Sequence, residues 1–326
     1  MAISRLVGRD LHLALLGLAL ATSPTPLRAQ HAWTLVAAPH VDLWFHGLAV
    51  VGFGGFGPLP LYDPGYAART RHVKDSLGLG QTALDRQAQR LHDAFEADSG
   101  FEALHFLPLY FVAADRQAML EGLRAAPPPV LRAPEQHRVF REFVDALDSE
   151  WREFYGAYWT RQSAERAARV GALQTMWDAR FAPALTDFLT SARLEGGVIL
   201  LSPALGADGR ILEANNVVAV RFPTSSAGDD PLTPLYAAVR ELCYPAARRL
   251  VATTMGEPAD RVTAERSSGI AAVRCGALLL ARRSTELARG YETAFLKVSG
   301  SHATFEAAYP LKPRIRDRLL QLVEAR

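Results

Sequence analysis

Apolar side chains recur at i, i+3 and i+4 over most of the chain, the spacing that lines one face of an α-helix. Trp44, Phe45, Leu48 and Val51 repeat in this way inside the apolar segment 41–53, and Leu84, Ala88, Leu91 and Phe95 form a second stripe. The clearest helix runs from Glu135 to Arg161, with Val139, Phe140, Phe143, Val144, Leu147, Trp151, Phe154, Tyr155 and Tyr158 in register. Ser163 is placed to cap another, which carries Leu173, Trp177, Phe181, Leu185 and Phe188 to Ser191 and should bend at Pro183. Aromatic residues at this spacing build cores, so these stripes receive no functional assignment.

The pattern changes near residue 193. Gly197 to Leu201 and Asn216 to Phe222 are runs rich in β-branched residues, and His31 to Pro39 predicts a short strand or extended lead-in. Gly206-Ala207-Asp208-Gly209 between the two runs supplies turn chemistry, Asp-Gly being a strong hairpin signal. Helical spacing returns at Thr233, flanked by Pro231 and Pro234, and carries Leu235, Val239, Leu242 and Leu250. Pro245 removes an amide from that helix and should kink it. More helix is expected from Ser267 to Phe295 and from Pro313 to the end. The fold class is therefore α+β, predominantly helical, with a small hairpin or sheet before the helix that starts near Thr233. A helical region 30–192 precedes an α+β region 193–326, and the spacing leaves open whether they share one core.

Composition places the chain among folded proteins: of 326 residues, 49% are hydrophobic and 21% charged. The N-terminus has the parts of a secretory signal. Arg5 and Arg9 flank an apolar core, Leu11 to Ala21, too short to span a bilayer, and Ala29 before Gln30 offers a small-residue cleavage site. Residues 1–29 thus read as a signal peptide, and the protein as exported to the periplasm or the exterior, with no transmembrane segment in the mature chain. Losing Arg5, Arg9, Arg28 and Asp10 from 36 basic and 34 acidic residues leaves the two signs equal. A chain without surplus cations is a poor partner for nucleic acid.

Several chemistries are absent from the sequence. No G-x-S-x-G elbow, S-x-x-K pair, dinucleotide fingerprint or phosphate loop occurs. The glycine-rich segment 52–58 lacks the Lys-Ser/Thr that would follow a phosphate cradle and reads as a connection. No two histidines after residue 30 lie three or four apart, so no helix offers two imidazoles to one ion. His46, inside an apolar helix, is the unusual one.

The segment Val239-Arg240-Glu241-Leu242-Cys243-Tyr244 carries the one candidate motif. In H-E-x-x-H, two imidazoles one turn apart hold zinc and the Glu activates the metal-bound water. Glu241 keeps the acidic position, whereas Arg240 and Tyr244 stand where the ligands would be. Guanidinium stays protonated and has no lone pair to give, and a phenol is a poor ligand near neutrality.

A hairpin followed by a Thr-Pro helix start and R-E-L-C-Y resembles the secreted zincin-like peptidases of bacteria, over residues 195–295. In that family an edge strand beside the active helix aligns the peptide substrate. The gluzincin type takes a third ligand from a Glu on a later helix, and Ser284 to Arg289 makes Glu286 the matching position. The resemblance implies an exported zincin-like protein, inactive as a peptidase, with no metal and no cofactor. Glu241 would be the remnant general base, and Arg240, Tyr244 and Glu286 the degenerate ligand positions. Arg240 would replace the charge of the ion by pairing with Glu286, Glu241 or both. The protein would then serve as a scaffold or bind an extended peptide or protein. Two other readings stand beside it: an active peptidase holding zinc through non-standard ligands, and a helical envelope protein with a binding or structural role. Cys243 and Cys275 read equally as a disulfide closing a loop of about 32 residues, or as two buried thiols.

Overall fold

Two compact units emerge in the computed structural model of the chain, which describes residues 32–54, 59–223, 230–255 and 260–324. The leader-like segment 1–29 and residues 55–58 of the glycine-rich connection lie outside them. Among the described residues, one unit comprises 37–54 and 64–166, the other 32–36, 59–63 and 167–324 with the gaps just given. The architecture is α+β and predominantly helical, with one small sheet. No helix among the described residues is long and apolar enough to cross a membrane.

The first unit is built from helices α1 (Pro39–Val51), α2 (Tyr66–Ser76), α3 (Ala83–Glu96), α4 (Arg116–Ala125) and α5 (Pro134–Glu150). Their starts follow from local chemistry: Pro39 and Pro134 open α1 and α5, Asp115 caps α4, and Thr82 with Asp85 forms a capping box on α3. Gly52 ends α1 in the left-handed region, where a Cβ would be strained. Trp44 sets the core, its ring edge-on to Phe143 at 5.1 Å and its indole N–H donating to the Leu104 carbonyl at 2.9 Å.

Helix α5 passes through a π-turn, Trp151–Tyr155, into α6 (Gly156–Met176). A second π-turn, Trp177–Phe181, leads to α7 (Ala182–Ala192). Ser163 starts no helix. It lies inside α6, its hydroxyl donating to the Thr160 carbonyl at 2.8 Å, a local bond that lets serine sit mid-helix. Pro183 falls in the first turn of α7, directly after the π-turn that precedes it. The boundary between the units therefore falls inside α6 and not near residue 192. Periodicity shows that a helix has a buried face but not which core receives it.

In the second unit the strands are β1 (Trp33–Val36), β2 (Gly197–Ser202), β3 (Arg210–Leu212) and β4 (Val217–Arg221), ordered β1-β2-β4-β3. β1, β2 and β4 are parallel neighbours, and β3 lies antiparallel at the edge beside β4. The hairpin before the next helix is therefore β3–β4, turned by Glu213–Asn215 with Asn216 left-handed at φ 51°. Asp208-Gly209 does not fold β2 back on β4. Parallel strands need a long crossover, and the segment from 203 to 216 supplies it. At the other edge, the Gln174 side chain accepts from the Leu35 amide at 2.7 Å and donates to the Trp33 carbonyl at 3.1 Å, which blunts β1 against further pairing.

Helix α8 (Thr233–Met255) continues through Pro245 and packs on β4 and on α9 (Arg261–Ala281). The helical stretch expected from 267 to 295 divides at Ser284, whose hydroxyl accepts from the Leu287 amide and caps α10 (Thr285–Ser299). Helices α11 (Phe305–Ala308) and α12 (Pro313–Glu324) complete the unit. Its core joins Trp177, Phe181 and Leu185 to Ile199, Leu201, Val218 and Val220 of the sheet and to Leu235, Val239 and Leu242 of α8.

Gly197 is required by space. A Cβ there would meet the Asn216 carbonyl, the Asn216 Cβ at 2.7 Å and the Trp33 ring at 2.9 Å. Gly171, inside α6, has nothing within 4 Å of that position. Gly197→Ala is expected to cost about 2–3 kcal/mol in urea unfolding, whereas Gly171→Ala should gain about 0.5–1 kcal/mol. Equal effects of the two substitutions would contradict the sheet register.

Candidate functional site: a buried arginine between carboxylates

Arg240, Glu241 and Tyr244 sit in the N-terminal half of α8, on the stretch that faces the β3 edge of the sheet and α9. All of the first two side chains is removed from water: Arg240 is 3% exposed and Glu241 2%. The Arg240 guanidinium forms ion pairs with both Asp208 and Glu241. Asp208, itself 2% exposed, takes a second cation, Arg210, at 3.0 Å. Two guanidinium groups thus face two carboxylates in a dry pocket. Such a set is tolerable only because each charge has a partner.

The loop before β3 is shaped for this contact. The Gly209 amide donates to Glu241 Oε1 at 3.1 Å. A Cβ on Gly209 would lie 2.6 Å from the Ala219 carbonyl and 2.7 Å from Glu241 Cγ, so only glycine lets the loop approach α8 so closely. The Asp208 amide in turn donates to the Pro60 carbonyl at 3.0 Å. Asp-Gly is therefore selected here for placing a carboxylate and an amide against α8.

Tyr244 does not join the carboxylates. Its ring lies under the Arg240 guanidinium at 5.4 Å, and its hydroxyl donates to Glu265 of α9. Burial, reinforced by the Glu265 charge, pushes the Tyr244 phenol far above its usual value, so it stays protonated. Burial also raises the Glu241 carboxyl, against the pull of Arg240, with Asp208 adding to the rise. Burial works against the Arg240 cation, but Asp208 and Glu241 more than offset it and hold it charged.

Of the residues singled out from sequence, Arg240 and Glu241 are brought together and Tyr244 adjoins them. Glu286 is not. Its side chain is 81% exposed and pairs with Arg180 at 2.8 Å, so Arg240 takes Asp208 where Glu286 had been expected. The acid that a later helix brings to the motif is Glu265. Cys243 and Cys275 are free, buried thiols on α8 and α9. As a zinc site this donor set fails: one ligand position is a permanent cation and the other a phenol spent on Glu265.

The first unit holds a separate buried network around His46. Its Nε2 lies 2.9 Å from Glu150 Oε1 and its Nδ1 3.0 Å from the Tyr66 hydroxyl, with His46 and Glu150 fully buried. Lys74 donates to Glu150 at 2.8 Å, to Asp85 at 2.7 Å and to the Thr82 hydroxyl at 3.1 Å. Beside it, Asp42 accepts from Tyr155 at 2.6 Å and from Arg166 at 2.9 Å. Burial pushes the Glu150 carboxyl up, but the His46 hydrogen bond and the His46 and Lys74 charges outweigh it and hold the group at about 2. Glu150 and Lys74 escaped the sequence reading, although Glu150 follows Phe143 and Leu147 on the apolar stripe, where a charge is out of place.

Compared with family models, with curated proteins and with solved structures, the chain matches none.

Two outcomes follow. Because the Glu150 value lies below that of an unfolded glutamate, its contribution is complete above about pH 4.5 and disappears as pH falls through about 2. Acid titration of stability should show a loss on the order of 3 kcal/mol across that window, absent in Glu150→Gln. Arg240→Met should cost about 3–5 kcal/mol at neutral pH by leaving buried carboxylates underpaired, and recover in part near about pH 4–5 as they take up protons. A loss below about 1 kcal/mol would contradict the charge-compensating role of Arg240.

Proposed function

We propose that this is an exported zincin-like protein in which an arginine has replaced the metal, so that it binds an extended peptide or protein segment, or scaffolds one, without cleaving it. The observation that carries the reading is the position of the Arg240 guanidinium between Asp208 and Glu241, at the first ligand position of R-E-L-C-Y. Three further features support it. The sheet ends in a short antiparallel strand, β3, next to the motif helix, the arrangement by which zincin-like peptidases align a peptide. The following helix brings Glu265 to the second ligand position, as a gluzincin brings its third ligand. The leader-like residues 5–29 accord with export to the periplasm or the exterior.

Hydrolysis has no place in this reading. A general base needs a water to activate, and Glu241 is spent on Arg240 and the Gly209 amide. In this reading an extended partner would add a strand beside β3, the last strand of the sheet.

Metal analysis of protein purified without chelator tests the proposal. The expected zinc content is far below one ion per chain, with no gain after dialysis against micromolar zinc. Near-stoichiometric zinc, or casein turnover abolished by a chelator, would overturn it.

A further inference from the structure

A cleft of about 840 Å³ opens in the second unit between the end of α7, the turn after β3, α8 and α12. Its size falls in the range that receives small organic ligands. Ala246, Arg249, Leu250 and Thr253 give it a wall from α8, and at 100° per residue they stand on a different side of that helix from Arg240, Glu241 and Tyr244. The apolar part of the lining is Leu194, Ala246, Leu250 and Leu322. The charged part is Arg193, Arg249, Arg318 and Glu213.

The charges do not cancel. Glu213 is already answered twice, by Arg249 at 2.7 Å and by Arg248 at 3.2 Å. Among the described residues, Arg318 meets only a neutral oxygen, the Thr254 hydroxyl, at 3.3 Å. Arg193 has no side-chain partner among the described residues, and its guanidinium is exposed at the cleft. Two cationic forks therefore border an open cleft of mixed polar and apolar lining whose one carboxylate, Glu213, is already paired with Arg248 and Arg249.

The backbone at Arg193 sharpens the point. Arg193 ends α7 in the left-handed region at φ 60°, its amide bonded back to the last turn and the Leu194 amide bonded to the Leu189 carbonyl at 2.8 Å. Glycine is the usual occupant of this cap, because a Cβ is disfavoured there. The chain carries an arginine at a position where glycine would be more stable, and the side chain so placed has no structural bond to show for it. Non-glycine residues in this region are enriched at ligand clamps and other functional sites.

We infer that this cleft binds a small amphiphile bearing a carboxylate or phosphate head, the head held by Arg193 and Arg318 and the apolar body laid along Leu194, Ala246, Leu250 and Leu322. Planar guanidinium forks match either anion by paired hydrogen bonds. The site is independent of the peptide-binding reading above, since it uses none of the Arg240 cluster.

Calorimetric titration with octyl phosphate, octanoate, inorganic phosphate and the neutral octyl glucoside tests the inference. Saturable binding is expected for at least one of the two anionic amphiphiles, weaker or absent binding for the other two probes, and a decline with added salt. Preference between octyl phosphate and octanoate identifies the head group. Arg193→Gly removes the guanidinium while relieving the backbone, so it should melt no lower than the wild type yet bind about tenfold more weakly; Arg318→Gln should weaken binding similarly. No saturable binding of either anion, equal binding of octyl glucoside, or affinities untouched by both substitutions would each overturn the assignment.

Discussion

A guanidinium cannot shed its proton inside a protein, and the second unit is arranged around that constraint at Arg240. Once this side chain is withdrawn from water, anions must come to it. One is its sequence neighbour, Glu241; the other, Asp208, arrives from the loop before β3. The close approach of that loop depends on Gly209, and its further course along residues 60–63 is fixed by hydrogen bonds from Asp208, Gly206 and Asp63. Sheet edge, loop and motif helix are thus held by one charge and the groups that answer it. Remove this cation, and Glu241 loses its ionic partner while Asp208 keeps only Arg210.

The cost of such a cluster explains its completeness. Burying an ion costs several kcal/mol even after relaxation, so each member must find a partner. The network in the first unit obeys the same rule with different residues: Lys74 serves Glu150 and Asp85 together, and Arg166 serves Asp42. Neither cluster adds much net stability over an apolar core of equal volume. What each does is tie distant segments into one register, because a misplaced segment strands a charge.

Much of the architecture was legible in the residues. The stripes Trp44–Val51, Leu84–Phe95 and Val139–Tyr158 became helices where their spacing put them, and the β-branched runs at 197–201 and 216–222 became strands. The helix start expected at Thr233 is where the helix begins, whereas the cap at Ser284 went unread inside a stretch expected to be continuous, and Ser163 misled, its hydroxyl finding a carbonyl inside a continuous helix. Asp208-Gly209 was read as a turn between two antiparallel strands. The signal was real, but the contact it serves lies in another element, thirty residues along the chain, and no local rule reports that.

Periodicity, capping and composition fixed which segments are helical, which are extended and which residues avoid water, since these follow from interactions within a turn or two of chain. The chemistry missing from R-E-L-C-Y was equally plain, because lone pairs belong to residue types and not to folds. Pairing was decided only in three dimensions: β2 beside β4 in parallel, Arg240 to Asp208 and not Glu286, Tyr244 to Glu265, His46 to Glu150. Each of these depends on which surfaces meet when the core closes. The free energy of a buried charge depends on every neighbour at once, and the order of residues along the chain does not contain that list.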